Sequence, residues 1–118
     1  MNSNKNIIIL NKIIKYCNDS NKYAVDKSYE EFISDERSFV FSIFCLSQIG
    51  ELVTILDNSI INKYDKIPWS ALKSIRNRIV HNYDSVQYNI IWNIIQNEIK
   101  EVIIELQNII NDIEKNNI

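Results

Sequence analysis

A single glycine and a single proline serve the whole of this 118-residue chain. These two residues punctuate regular structure most strongly, so their scarcity leaves long stretches of backbone without a break. An all-β fold needs a turn roughly every ten residues, and little here could build those turns. Helices carry no such requirement. With 46% hydrophobic residues the chain can bury a core of ordinary size, and residues 1–118 are expected to form one domain. Isoleucine is abundant and by propensity alone would favour strands, so the spacing of the apolar residues has to decide. Asparagine is also over-used, a bias like that of AT-rich coding sequence, which lowers the weight of any individual Asn.

The spacing is helical. Leu10, Ile13, Ile14 and Cys17 recur at three- and four-residue intervals and predict a first helix from about Asn4 to Asn18, ended by the polar run 18–22. Ser28-Tyr29-Glu30-Glu31 has the form of a capping box, in which hydroxyl and carboxylate satisfy free N–H groups at a helix start, and it predicts a short helix to about Ile33. From about Asp35 to Asn62 only Gly50 interrupts. Phe39, Ile43, Leu46 and Val53 mark one apolar face there, and Cys45, Ile49, Leu52 and Leu56 another, so this helix belongs at the centre of a bundle. Gly50 inside it costs about 1 kcal/mol relative to alanine, which close approach of a neighbouring backbone would explain.

Residues 62–67 read as a linker, and Pro68 suits the first turn of a fourth helix reaching about Asn82. Asp84 and Ser85 can cap a fifth, whose Ile91, Ile95, Ile99, Val102, Leu106, Ile109 and Ile113 keep a seven-residue repeat. The expected fold is all-α, an up-and-down bundle of about five helices.

The formal net charge of −2 does not suit a protein that coats nucleic acid through a uniform positive field. The charge is uneven, however. Between residues 61 and 80, Lys63, Lys66, Lys73, Arg76 and Arg78 meet the single acid Asp65, whereas the chain from Glu98 onward is acidic. Anion binding is therefore expected near residues 63–81, unless that run is only a solvated face. Cys17 and Cys45 fall on apolar helical stripes without Cys or His at metal-ligand spacing, and read as reduced core thiols of a cytoplasmic protein. No metal or cofactor is expected. The apolar run Ile7–Leu10 is too short for a signal-peptide core, and no stretch approaches a membrane span.

On a helix starting near Pro68, residues Trp69, Leu72, Arg76, Ile79, Val80 and Tyr83 share a face. Arg76 thus stands in an apolar stripe, where an unpaired charge costs several kcal/mol. Its counterpart is Glu51 on the central helix, the same face of a second subunit, or a phosphate. His81 is the one histidine of the chain, and histidine alone has an unperturbed pKa, about 6.5, suited to proton transfer near neutrality. On a regular helix it lies about 140° from Arg76, on the side of Ser74, Asn77 and Arg78. Either the helix ends or tightens before His81, or the pair converges across a subunit interface. Arg78, three residues away, is the neighbour that plain helix geometry favours.

Arg76-Asn77-x-x-x-His81-x-Tyr83, preceded by Pro68-Trp69 and Ile75 and followed by a helix containing Trp92, resembles the HepT branch of the HEPN superfamily, the toxin half of MNT–HEPN toxin–antitoxin pairs. Ile49-Gly50-Glu51 resembles that branch's Ile-Gly-Glu in a long third helix, and Tyr29-Glu30-Glu31-Phe32-Ile33 with Asp35 resembles the segment before it. Together these cover most of the chain in the right order. Ser74 departs from the pattern, standing where many relatives carry glycine.

The resemblance implies a homodimer of helical subunits whose Arg76 and His81 line a cleft at the interface and cut RNA without a metal ion. Asn77 and Arg78 would position the RNA backbone, with Glu51 in support. Tyr83 would be the residue to which an MNT-type nucleotidyltransferase antitoxin attaches AMP. Two alternatives stand beside this: a non-catalytic HEPN partner or nucleotide-binding module of a nucleotidyltransferase, and a structural dimer in which Arg76 is tied to Glu51.

Overall fold

The computed structural model describes residues 2–81 and 88–116, and within them the side chains of residues 2, 3 and 76–81 are not described. Helix α1 (Asn2–Lys22) continues through the polar run that was expected to end it. Packing explains the difference. Ser20 is fully buried, its hydroxyl donates to the Cys17 carbonyl at 2.8 Å, and the Ser42 hydroxyl of the third helix donates to the Ser20 carbonyl at 3.2 Å. Tertiary contact therefore holds as helix a stretch whose own propensity is weak.

Helix α2 (Tyr29–Ser34) opens on the expected capping box. The Glu31 N–H donates to the Ser28 hydroxyl at 3.1 Å, and the Ser28 N–H donates to the Glu31 carboxylate at 2.9 Å. Asp35 then ends α2 and begins α3 (Glu36–Thr54), its N–H donating to the Glu31 and Phe32 carbonyls and its carboxylate accepting from the Ser38 N–H.

The single helix expected from Asp35 to Asn62 is in fact two, α3 and α4 (Asn58–Lys63). Thr54 turns its hydroxyl onto the Glu51 carbonyl at 2.6 Å, and Asp57 adopts an extended backbone at φ −62°, ψ 142°. What fixes Asp57 lies far away in sequence. Buried Asn6 of α1 accepts the Asp57 N–H at 3.3 Å and donates to its carboxylate at 3.0 Å, so one amide staples the start of α4 to α1.

Helix α5 (Trp69–His81) starts directly after Pro68, whose carbonyl accepts the Leu72 N–H at 3.0 Å. The C-terminal helical run comprises α6 (Tyr88–Asn93), one π-helical turn (Ile94–Glu98) and α7 (Ile99–Asn116). The wider turn lets Ile94 and Ile95 both point inward, while Gln96 donates to the Ala24 carbonyl at 3.0 Å. The caps expected at Asp84 and Ser85 lie outside the described residues.

Helix α3 packs between α1 and α5, and α7 packs on α1. No strand occurs among the described residues. The all-α up-and-down bundle is as the spacing predicts, and its core includes Leu10, Ile13, Leu46, Ile49, Ile95 and Leu106, each 1% exposed or less. The seven-residue repeat from Ile91 to Leu106 and Ile109 is buried, as expected. Among the described residues no helix is long and apolar enough to cross a membrane.

Candidate active site

The positions of Arg76, Asn77, Arg78 and His81 fall in the last two turns of α5. Its inward stripe is well buried up to that point: Trp69, Leu72 and Ile75 are all nearly inaccessible. The side chains of Arg76, Asn77, Arg78 and His81 are outside the described residues, as is the whole of Tyr83. The backbone nevertheless decides one question. α5 stays α-helical through His81, so the helix neither ends nor tightens before it, and the Arg76 and His81 positions are separated by about 140° of rotation. Glu51 is exposed on α3, beside the buried Gly50.

Rings from three helices build the pole of the bundle where the chain enters α6. Phe32 of α2 is fully buried and packs on Phe39 of α3 at 5.7 Å and on Trp92 of α6 at 5.1 Å between centroids. Tyr29 meets Trp92 edge-on at 6.0 Å, and Phe39 carries Tyr88, the first residue of α6, at 4.4 Å. This stack fixes α6 where the chain re-enters after α5.

Among the described lysines of residues 63–75, Lys63 lies 3.7 Å from the Asp112 carboxylate at the opposite pole, and Lys66 lines a cleft of about 330 Å³ with Glu98, Glu101 and Glu105 of the C-terminal run. Positive charge reaches the ring-built pole from residues not singled out in the sequence: Lys22, Lys27 and Arg37.

Lys27 donates to the Asp35 carboxylate at 3.0 Å and to the Ser38 hydroxyl at 2.7 Å, and Ser38 donates in turn to Asp35 at 2.7 Å. The Ser38 hydroxyl, together with the Lys27 ammonium and the Ser38 N–H, holds the Asp35 carboxyl down at about 2. Burial pushes the Cys17 thiol up to about 12 and the Cys45 thiol up to about 11, so neither is a ready nucleophile. Among the described residues no group of His, Cys, Asp and Glu is placed to hold a metal ion.

Residues 13–109 match the model of the family described as Ribonuclease HepT-like. The chain belongs to the HepT-like ribonuclease family. The matched span includes the whole of α5. Two proteins of Methanocaldococcus jannaschii are similar to it over nearly their full length. "Putative RNase MJ0127" is 34% identical over 86% of this chain and 84% of its own, and "Putative RNase MJ0125" is 35% identical over 87% and 89%. "Putative RNase TTE0752" of Caldanaerobacter subterraneus subsp. tengcongensis is 38% identical over 64% of this HepT-like chain and 67% of its own. No solved structure matches.

Proposed function

We propose that this HepT-like chain is an endoribonuclease working as a homodimer, the toxin of a toxin–antitoxin pair whose antitoxin is an MNT-type nucleotidyltransferase. The observation that carries the proposal is the unbroken α5. A chain with one histidine offers one proton-transfer group, and its arginine stands on another side of the same helix. A two-fold axis beside α5 supplies two histidines and two arginines to one cleft.

The exposed side of α3 supports pairing. Val40, Phe44 and Ile55 stand in one stripe at helical spacing and are 43%, 49% and 52% exposed, an apolar surface that a second copy would cover.

In this mechanism His81 of one protomer takes the proton of a ribose 2′-hydroxyl. The oxygen attacks the adjacent phosphorus, the bond to the 5′-oxygen breaks, and His81 of the partner subunit protonates that leaving oxygen. A 2′,3′-cyclic phosphate and a free 5′-hydroxyl result. Arg76 stabilises the charge developing on the phosphoryl oxygens, and Asn77 and Arg78 hold the strand. The chemistry runs on these side chains, without a metal. AMP attached to Tyr83 places bulk and negative charge beside the cleft and repels RNA phosphates.

The test is expression of wild type and His81→Ala in a bacterial host, with and without the adjacent nucleotidyltransferase gene. Wild type alone arrests growth and fragments RNA to cyclic-phosphate ends, and His81→Ala lowers cleavage by about 10²–10⁴-fold with an unchanged melting curve. DNA, lacking the 2′-hydroxyl, survives. If both proteins are harmless and both still bind the nucleotidyltransferase, the chain is a non-catalytic binding module. Cleavage of DNA at the rate of RNA would rule out the 2′-hydroxyl mechanism.

A further inference from the structure

We infer that the cleft between the end of α1 and the start of α3 is a subsite for one nucleotide of an RNA strand, separate from the Arg76–His81 segment and serving the same substrate. It rests on the ribonuclease reading for its role, though not for its measurement. The cleft holds about 450 Å³, lined by Tyr23, Lys27, Asp35, Arg37, Ser38 and Phe41, within the range of small-ligand pockets.

Three features give it the chemistry of a nucleotide. Tyr23 is 44% exposed yet held in place, edge-on to Phe41 at 5.5 Å between centroids. A ring fixed by a second ring and still open to solvent is a platform on which a base stacks. The ammonium groups of Lys22 and Lys27 lie over that ring, 5.6 and 5.9 Å from its centre, on long side chains that a base and its phosphate can draw aside, so that positive charge stands beside the platform.

The third feature is how the charges are divided. The one carboxylate in the lining, Asp35, is occupied by Lys27 and Ser38, which cancels most of its repulsion toward an anion and fixes the floor of the cleft. Arg37 and Lys22 form no ion pair with another described residue. The planar guanidinium of Arg37 is thus free to take a phosphate by two parallel hydrogen bonds, with Lys22 as a point charge.

Placement ties the cleft to the chemistry. Two residues from Arg37 on α3, Phe39 carries Tyr88, the first residue of α6 and seven positions along the chain from His81 at the end of α5. A strand bound at both would run from the α5 segment past Tyr88 toward Tyr23 and Arg37. An acidic peptide would satisfy the cations but would leave the tyrosine platform unused, so RNA is the ligand that uses every feature.

The experiment uses full-length His81→Ala, in which cleavage does not interfere, and a fluorescein-labelled oligouridylate read by fluorescence anisotropy. Adding Tyr23→Ala weakens binding by roughly 5- to 150-fold, the loss of one base stack worth about 1–3 kcal/mol. Tyr23→Phe restores it, because the ring stacks without the hydroxyl. Arg37→Ala lowers the slope of log affinity against log salt by about one phosphate contact. Melting curves confirm that each variant folds.

Affinities of Tyr23→Ala and Arg37→Ala within twofold of the parent overturn the subsite. Competition by an oligoglutamate peptide as strong as that by unlabelled RNA overturns it in favour of an acidic peptide. If wild type proves unable to cut RNA while Tyr23→Ala still weakens binding and Tyr23→Phe restores it, the ribonuclease reading falls and the subsite stands. If cleavage is confirmed and binding ignores both substitutions, the subsite falls alone.

Discussion

The two poles of the bundle are held together by different forces. At the pole built on Phe32, rings from α2, α3 and α6 interlock, and apart from Gln96 on the Ala24 carbonyl the polar bonds beside them link residues within about a dozen positions of one another. At the other pole the polar bonds are long-range. Asn6 reaches Asp57, and the Tyr64 hydroxyl donates to Asp112. Apolar packing tolerates small shifts and changes little with salt or pH, whereas side-chain hydrogen bonds fix direction. The pole without proposed chemistry is pinned by geometry. The pole to which we assign RNA binding is held chiefly by its rings, contacts that an anion does not compete for.

The largest effect expected from this contrast is at the ring cluster. Phe32→Ala removes a fully buried aromatic and should cost about 3–5 kcal/mol of stability, read from a urea midpoint. Because Phe32 underlies both Phe39 and Trp92, RNA cleavage should fall with it even under conditions where the protein stays folded. A variant with full activity and a destabilisation below about 1 kcal/mol would show that the pole does not depend on these rings.

Asn6→Ala comes next. It removes the amide that both accepts from and donates to Asp57, and it leaves the helix start without its partner, at a cost of about 1–3 kcal/mol. Cleavage should be unchanged, because the damage lies at the far pole. Loss of activity at undiminished stability would mean that the two poles are coupled. Ser28→Ala is expected to be smaller, about 1 kcal/mol for a lost helix cap, and a midpoint equal to wild type would show that α2 is held by its rings alone.

What could be read from the sequence follows the same division. Helices α2 and α7 were legible because a capping box and a seven-residue repeat are local patterns. The break after Thr54 was not, because the residue that fixes Asp57 is Asn6, on another helix. The polar tail of α1 read as a stop for the same reason: Ser42 of α3 is what makes Ser20 a helical residue. At the proposed site, Arg76 and His81 could be singled out because their type and spacing on one helix form a linear pattern. Tyr23, Lys27 and Arg37 were not, since they come from a turn and from the start of the next long helix, and no linear pattern joins them. The Asp112 carboxylate beside Lys63 was not legible either, because it lies more than thirty residues later, on the C-terminal helical run.

The smallest effect is expected from Asp35, and its sign is fixed by its surroundings. The Ser38 hydroxyl and the Lys27 ammonium hold this carboxyl at about 2, below its ordinary 3.8. A carboxyl whose folded value is depressed adds stability above its unfolded value, and that contribution disappears as pH falls through the folded value. Wild type should therefore lose stability between about pH 4 and pH 2 through this group, on top of the general acid response. Asp35→Asn, which keeps a helix cap but has no charge to lose, should show a shallower decline over that window. The group is partly exposed and salt screens it, so the difference should shrink as salt is added. Parallel acid curves for the two proteins at low salt would mean that Lys27 and Ser38 do not hold the carboxylate in solution, and the floor assigned to the Tyr23–Arg37 cleft would lose its anchor.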